Sequence, residues 1–378
     1  MIDKLPSSQL KDDYYQKIQL IAEKLMSLSD EEAPAIDHSL SEAKLAEIGF
    51  FARDFGMKEW DWPQGVGLYG LKKAATSLKG DVAGFIESWF YEQLKLGLPL
   101  RNINTVTPLL ALYDYEFAEA ISVEWAQWIY EEAERTEENG LQHVTSGETK
   151  RELNLHPGEI WIDTLFMTGL FLVKMGKKHQ RKEWVDEGIY QTLLHVKYLH
   201  DRKTNLFFHG WTFEGRHNFG EVLWCRGNSW MALALPIILK TAEEDLTTSE
   251  KRFLTEAYVK QVEGLFSVLD RRCYQWHTVL TNEESYCETS GTAGILAGIF
   301  LGIDYGLLDR ETYLPDGLKV LQSVLDQISE SGEVKGVSAG TPVALTEDAY
   351  HRIIQAPMAY GQSMVLLMLA YAKKYIEN

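Results

Sequence analysis

The sequence predicts an all-α protein, and three observations carry that reading. Apolar residues recur at helical spacing along almost the whole length, strand-like alternation is scarce, and no Pro/Gly/Ser-rich linker or compositional break interrupts the pattern. In chain order the periodicity places helices over 12–28, 40–55, 63–77, 81–96, 105–114 and 116–135. It continues over 158–176, 181–200, 224–242, 249–270, 289–304, 316–330 and 356–376. Pro63 suits the first turn of the third helix, where its missing N–H costs nothing. Thr289 or Ser290 suits the cap of the helix that follows Glu288. With no break between them, these helices read as one domain over 1–378. The longer connections, 143–157, 201–223, 271–288 and 331–355, carry aromatic and polar residues, and loops on a rigid scaffold are where binding residues concentrate. Periodicity allows two closures: a toroid of inner and outer helices with the long loops at one mouth, or an open α-solenoid.

Composition narrows the partners. With 45% hydrophobic residues the 378-residue chain can bury a sizeable core. A net charge of −18 argues against nucleic acid or an anionic membrane as partner. A small acidic substrate is still allowed, because a local Arg or His cluster overrides the mean field. Cys225, Cys273 and Cys287 are odd in number and lack metal-ligand spacing, which points to a reducing compartment and to neither a disulfide framework nor a zinc site. Residues 1–6 lack the apolar core of a signal peptide, and the longest apolar run, 293–303, is too short to span a bilayer. A soluble cytoplasmic protein is expected, a monomer or homodimer.

One carboxylate stands out. In the segment Glu159-Ile160-Trp161-Ile162-Asp163-Thr164-Leu165-Phe166-Met167, helical spacing puts Phe166, Met167 and Leu170 on the face of Asp163, with Trp161, Leu165, Thr168 and Leu172 in a row beside them. Apolar rows desolvate a carboxylate, the condition that lets a general acid hold its proton near neutral pH. The bland alternative is a first-turn acid complementing the helix dipole after Pro157-Gly158.

Aromatic residues are 12% of the chain, and several tryptophans stand beside polar residues: Trp60-Asp61-Trp62-Pro63-Gln64-Gly65, Phe207-Phe208-His209-Gly210-Trp211 and Trp224-Cys225-Arg226-Gly227-Asn228-Ser229-Trp230. Aromatic faces pack on the C–H faces of sugar rings while Arg, Asn and His bond hydroxyls and carboxylates, so three such clusters favour a carbohydrate site over a merely aromatic core. Arg226 suits a bidentate grip on a carboxylate, or equally a salt bridge to a surplus acid. His143 and His209 suit sugar contacts or plain solvation. Glu288-Thr289-Ser290-Gly291 reads first as a helix start. No dinucleotide, P-loop, zincin or nucleophile-elbow motif is present, and spacing alone does not single out two glycosidase carboxylates.

From about residue 60 to the C-terminus these motifs resemble the unsaturated uronyl hydrolases of glycoside hydrolase families 88 and 105, and family 105, the unsaturated rhamnogalacturonyl hydrolases, most closely. Trp161 to Met167 is similar to the family's W-x-D-x-L-[FY]-M, which carries its catalytic aspartate. Trp224 to Trp230 is similar to W-x-R-x-x-x-W, whose arginine contacts substrate. Asp61, Trp62 and Gln64 fall in a pocket-lining segment ending in Q-G, and Leu141-Gln142-His143 resembles the loop histidine before the catalytic helix. Glu288 to Gly291 resembles E-[ST]-S-G, and Tyr360-Gly361-Gln362 a late turn. Where relatives often carry a second active-site aspartate, this chain has Asn102 and Asn104, and its loop between His143 and Asp163 is longer than in some relatives.

The resemblance implies an (α/α)6 toroid and a hydrolysis needing no metal or other cofactor. The substrate would be an oligosaccharide ending in the 4,5-unsaturated uronate left by a polysaccharide lyase, the unsaturated rhamnogalacturonan disaccharide above all. Asp163 would protonate C4 of the vinyl ether and then take a proton from the water that adds at C5; the hemiketal collapses and frees the remaining sugar. The substrate contacts would come from Asp61, Trp62, Gln64, Asn102, Asn104, His143, Trp161, Met167, His209, Trp211, Trp224, Arg226, Trp230 and Glu288. Competing readings are a sugar epimerase or inverting glycosidase on the same toroid, and a sugar-binding protein without turnover.

Overall fold

Which helices touch decides between ring and solenoid. A computed structural model describes residues 7–34 and 40–377; residues 1–6, 35–39 and 378, and with them the N-terminal segment judged above, lie outside the described residues. The helices are, in chain order, α1 (Ser7–Ser27), α2 (Glu42–Glu47), α3 (Trp62–Ala74), α4 (Val82–Leu96), α5 (Ile103–Leu112), α6 (Glu119–Glu131) and α7 (Leu170–His179). There follow α8 (Lys182–Leu199), α9 (Cys225–Thr241), α10 (Thr248–Ser267), α11 (Thr289–Asp304), α12 (Arg310–Leu325), α13 (Glu347–His351) and α14 (Ala359–Glu377).

Six of them form a closed cycle. α3 packs on α5, α5 on α7, α7 on α9, α9 on α11, α11 on α14, and α14 returns to α3. Each has one outer companion: α4, α6, α8, α10, α12 and, for α14, the N-terminal α1. The contact of α14 with α3 closes an (α/α)6 toroid and excludes the solenoid. Burial follows the layers. Every residue of α5 is buried, as is α9 from Cys225 to Leu239, whereas α10 and α12 bury a single stripe, as an amphipathic surface helix should. The inner ring closes through small residues. A Cβ on Gly65 would stand 2.4 Å from Pro108 N across α3 and α5, and one on Gly298 would stand 2.2 Å from Ala232 O across α9 and α11.

The sequence-predicted helices agree with the structure except at places that matter for the site. The helix expected over 40–55 stops at Glu47, because Gly49 takes a left-handed φ of 78° and lies against the Gly340 backbone; residues 50–56 then turn inward. The helix expected from 158 starts later. Gly158, at φ 70°, ends a turn, and Glu159–Trp161 is a strand, β3, antiparallel to β4 (Gly210–Thr212). A shorter pair, β1 (Thr145–Ser146) and β2 (Leu153–Asn154), precedes it. The β-branched and aromatic residues Ile160 and Trp161 suit a pleated, half-buried strand better than the helix assigned to them. α12 begins at Arg310, earlier than the 316 expected, because Asp309 caps it and Pro315 is tolerated inside. Glu288, rather than Thr289 or Ser290, caps α11. Cys273 and Cys287 are free thiols with sulfurs 3.1 Å apart, a proximity their spacing did not suggest. Among the described residues no helix is long and apolar enough to cross a membrane.

Candidate active site

The N-terminal ends of α3, α5, α7 and α9 meet at one mouth of the ring. There they surround a cavity of about 240 Å³ lined by Trp62, Asn104, Asp163, Met167, Trp224 and Arg226, by His143, His156 and Trp161, and by the Arg53-Asp54 and Gly340–Pro342 loops. Helix N-termini carry partial positive charge, so the mouth favours an anion despite the acidic chain.

Asp163 owes its place to the β3–β4 ladder. The ladder runs one residue further, with Ile162 N donating to His209 O at 2.9 Å, and this sets His209 beside Asp163. Asp163 opens the helical segment that continues into α7, and Leu165–Gly169 within that segment forms a π-helical turn, a widening that recurs at functional sites. Asp163 and Met167 both face the cavity from this segment, while Phe166 packs beneath against Trp230 and Tyr69. Asp163 is therefore a first-turn acid, as the bland alternative had it, and also a nine-tenths-buried cavity residue. Its Oδ2 is buried with no hydrogen-bond partner; His209 Nε2 stands 3.3 Å away, outside hydrogen-bond geometry.

The walls are aromatic. Trp161 stacks on His143 with ring centroids 4.2 Å apart, and His156 covers it at 4.7 Å. Trp161 Nε1 is held by Glu159, and His143 Nδ1 by the Thr164 hydroxyl at 2.9 Å. Burial pushes His143 well below the usual histidine range, and lowers His156 as well; it lowers His209 too, partly offset by the Asp163 carboxylate. At neutral pH these imidazoles are neutral, suited to hydroxyls more than to anions.

Positive charge comes from two arginines. Arg226 is fully buried between the faces of Trp224 and Tyr360, at 4.5 and 4.7 Å. Its Nη1 donates to Ser338 and its Nη2 to Ala339 O at 2.9 Å and Thr341 Oγ1 at 3.0 Å, with Glu288 3.6 Å off. Its terminal nitrogens are engaged by the loop that roofs the cavity, which Arg226 lines. Arg53 is the second. Its partner in sequence, Asp54, is a buried carboxyl in the same cavity, which burial pushes up to about 7 against the pull of Arg53.

Several other expected site residues support the cavity without lining it. Asp61 caps α3 through Trp62 N at 2.7 Å and pairs with Arg53 at 3.4 Å. The Gln64 amide donates to Arg53 O and Gly56 O, holding the inward loop. Asn102 closes a capping box with Thr105 at the start of α5, its oxygen taken up by backbone N–H groups. Trp211 stacks on Tyr198 behind β4, and Trp230 lies under the floor against Phe166. Glu288 is saturated by the α11 N-terminus, Ser290 and Ser338. His209 touches Asp163 from behind the wall. Sequence reasoning missed Arg53, Asp54, His156 and Tyr350, whose hydroxyl meets His209 Nδ1 at 2.7 Å. A signal existed for the first two: a charged pair inside the aromatic run Phe50-Phe51-Ala52-Arg53-Asp54-Phe55. Among the described residues no group of three His, Cys, Asp or Glu is placed to hold a metal ion.

The family model for Glycosyl Hydrolase Family 88 matches residues 41–376, nearly the whole ring. The chain belongs to that family. This family 88 protein is 30% identical over 333 residues to the unsaturated rhamnogalacturonyl hydrolase YesR of Bacillus subtilis, covering 85% of this chain and 90% of YesR. It is 31% identical to a crystal structure described as a possible member of the GH105 family from Salmonella enterica, with a TM-score of 0.84 over 99% of this chain and 96% of that one. The unsaturated glucuronyl hydrolase of Bacillus sp. GL1 shares the fold, with a TM-score of 0.67 over 98% of each chain at 13% identity. The family assignment made from the motifs holds, the protein is a glycoside hydrolase, and the reading as a binder without turnover falls.

Proposed function

We propose that this glycosidase removes the 4,5-unsaturated uronic acid from the non-reducing end of lyase-generated oligosaccharides, with the unsaturated rhamnogalacturonan disaccharide as preferred substrate. The observation that carries the reading is Asp163: a buried carboxyl with an unpartnered oxygen, in an aromatic-walled cavity, beside a neutral histidine. The likeness to YesR supports the choice of substrate. A cavity of about 240 Å³ is small against ligand pockets of about 300–1,000 Å³, which suits one buried ring with the rest of the oligosaccharide at the mouth. A cytoplasmic site of action, downstream of a lyase, fits the free thiols.

In this mechanism the unsaturated ring stacks on the Trp161 wall. Asp163 delivers its proton to C4, and positive charge builds at C5 and the ring oxygen. Water adds at C5 and gives its proton back to Asp163. The hemiketal opens to a ketone at C5, leaving a hemiacetal at C1 that releases the attached sugar. One carboxyl serves both steps, and the neutral His209 beside it steadies its charged form between them. The test is direct. Unsaturated rhamnogalacturonan disaccharide is added and the ultraviolet band of the conjugated uronate followed. Bleaching with release of the second sugar is expected; sugar release with the band intact would point to ordinary glycoside cleavage instead.

A further inference from the structure

The substrate of the proposed reaction is an anion, and the mouth holds two arginines but few open donors. Arg226, the arginine of the W-x-R-x-x-x-W motif, has its terminal nitrogens on Ser338, Ala339 and Thr341, its guanidinium plane against Trp224 and Tyr360, and Glu288 as counter-charge. Arg53 is the reverse. Its side chain is one-fifth exposed, and its Nε stands 3.4 Å from Asp61 and 3.9 Å from Asp54. Its two terminal nitrogens make no hydrogen bond among the described residues, so the end of the fork is uncommitted on a residue that lines the cavity.

We infer that Arg53, rather than Arg226, receives the carboxylate of the unsaturated uronate. The inference rests on the reaction proposed above. Three neighbours surround the fork: Gln64 ties the Arg53 carbonyl at 3.3 Å, Asp61 stands 3.4 Å from Nε without a hydrogen bond, and the Phe51 ring lies 5.1 Å from the guanidinium. A planar fork bonds a carboxylate through two parallel N–H groups, which a lysine cannot do. Charge also allows it. Two ionised acids beside Arg53 would repel an incoming carboxylate, but burial raises both, and it takes Asp54 to about 7, so Asp54 keeps its proton up to about neutral pH. The Gly49 break that stops α2 is what brings this turn to the cavity.

The experiment compares the unsaturated disaccharide acid with its uncharged methyl ester, in wild type, Arg53→Ala, Arg53→Lys and Arg226→Lys. Wild-type bleaching of the acid is measured first; none on any unsaturated oligosaccharide overturns the reaction and this assignment together. With turnover established, Arg53→Ala is expected to raise KM for the acid by about 10- to 100-fold, the size of a lost charge-assisted pair, and to leave KM for the ester within about threefold. Arg53→Lys is expected to recover only part of the loss. Because acid and ester are compared in the same variant, a general weakening of the fold moves both alike. Equal effects on acid and ester, or an acid-specific KM defect in Arg226→Lys but not in Arg53→Ala, would overturn the assignment and leave the reaction standing.

Discussion

His209 Nε2 stands 3.3 Å from Asp163 Oδ2, and the ring's other nitrogen is tied to Tyr350 at 2.7 Å. The chain of contacts favours one tautomer. Burial raises the Tyr350 phenol far above its ordinary range, so it keeps its proton, and its oxygen already faces the Ala344 N–H at 3.4 Å. If Tyr350 donates to His209 Nδ1, the imidazole proton is placed on Nε2, 3.3 Å from Asp163 Oδ2. In that tautomer a neutral N–H lies beside the carboxylate, short of a hydrogen bond in this structure, and can steady its charged form without giving up a proton, which suits a residue that must be acid first and base afterwards.

Asp163→Asn retains size and polarity but removes the transferable proton. Its kcat is expected to fall by about 10²–10⁴-fold, the usual contribution of acid–base catalysis, with the circular dichroism spectrum unchanged. A folded variant within a few-fold of wild type would end the mechanism.

Tyr350→Phe keeps the ring against Trp224 and His209 but deletes the donor to Nδ1. We expect kcat to drop by about 2- to 10-fold, the size of one hydrogen bond, with KM nearly constant. Nitrogen-15 spectra should show the His209 proton shared between both ring nitrogens, a change that loss of packing alone does not produce. An unaltered tautomer would mean that Tyr350 does not set it.

The helices were legible from their apolar spacing, and α10 and α11 lie within a few residues of their expected bounds, but that spacing allows ring and solenoid alike; the toroid follows from the family resemblance and from the contact of α14 with α3. The catalytic segment was legible as a motif but not as a structure. Asp163 was read as lying inside a helix, when the extended stretch before it, paired with Gly210–Thr212, is what brings His209 alongside. Long-range pairing of that kind leaves no local period. Arg53 and Asp54 were hidden inside a predicted helix for the same reason, since only the contact of Gly49 with the Gly340 backbone turns them inward. Arg226 is legible as a motif, but its hydrogen bonds to residues more than a hundred positions away leave no local trace.

Asp54 gives a pH signature in stability. Its carboxyl is pushed up to about 7 by burial, with Asp61 adding to the rise and Arg53 and Arg226 opposing it. Between the ordinary value near 4 and about 7 the folded protein holds a proton that the unfolded chain has lost, so this group's contribution to stability falls as pH rises through that window. Asp54→Asn removes the effect. Urea unfolding should show the variant gaining on wild type by about 2–3 kcal/mol between pH 5 and pH 8, at about 1.4 kcal/mol per pH unit. Parallel pH profiles for the two proteins would mean that Asp54 is ionised throughout.

Asn102 and Asn104 stand where relatives often place a second acid, and the structure separates them. Asn102 is the cap of α5, its oxygen bonded to the backbone of Asn104 and Thr105 and its amide to Ser146 at 3.2 Å. Aspartate caps a helix as well as asparagine does, and the Ser146 hydroxyl can donate to it, so Asn102→Asp should lose the amide's bond to Leu100 O, about 1 kcal/mol of stability, with little change in turnover. Asn104 lines the cavity, and its amide makes no hydrogen bond among the described residues, leaving donor and acceptor for a substrate hydroxyl or the attacking water. A carboxylate there would repel the substrate's own and remove the donor. Asn104→Asp is therefore expected to lower kcat/KM by about tenfold or more, mostly through KM. The opposite result would be informative. A tenfold gain in kcat, about the least that a second general base should supply, would mean that Asp163 does not serve both proton transfers and that the native protein works without a group its reaction needs.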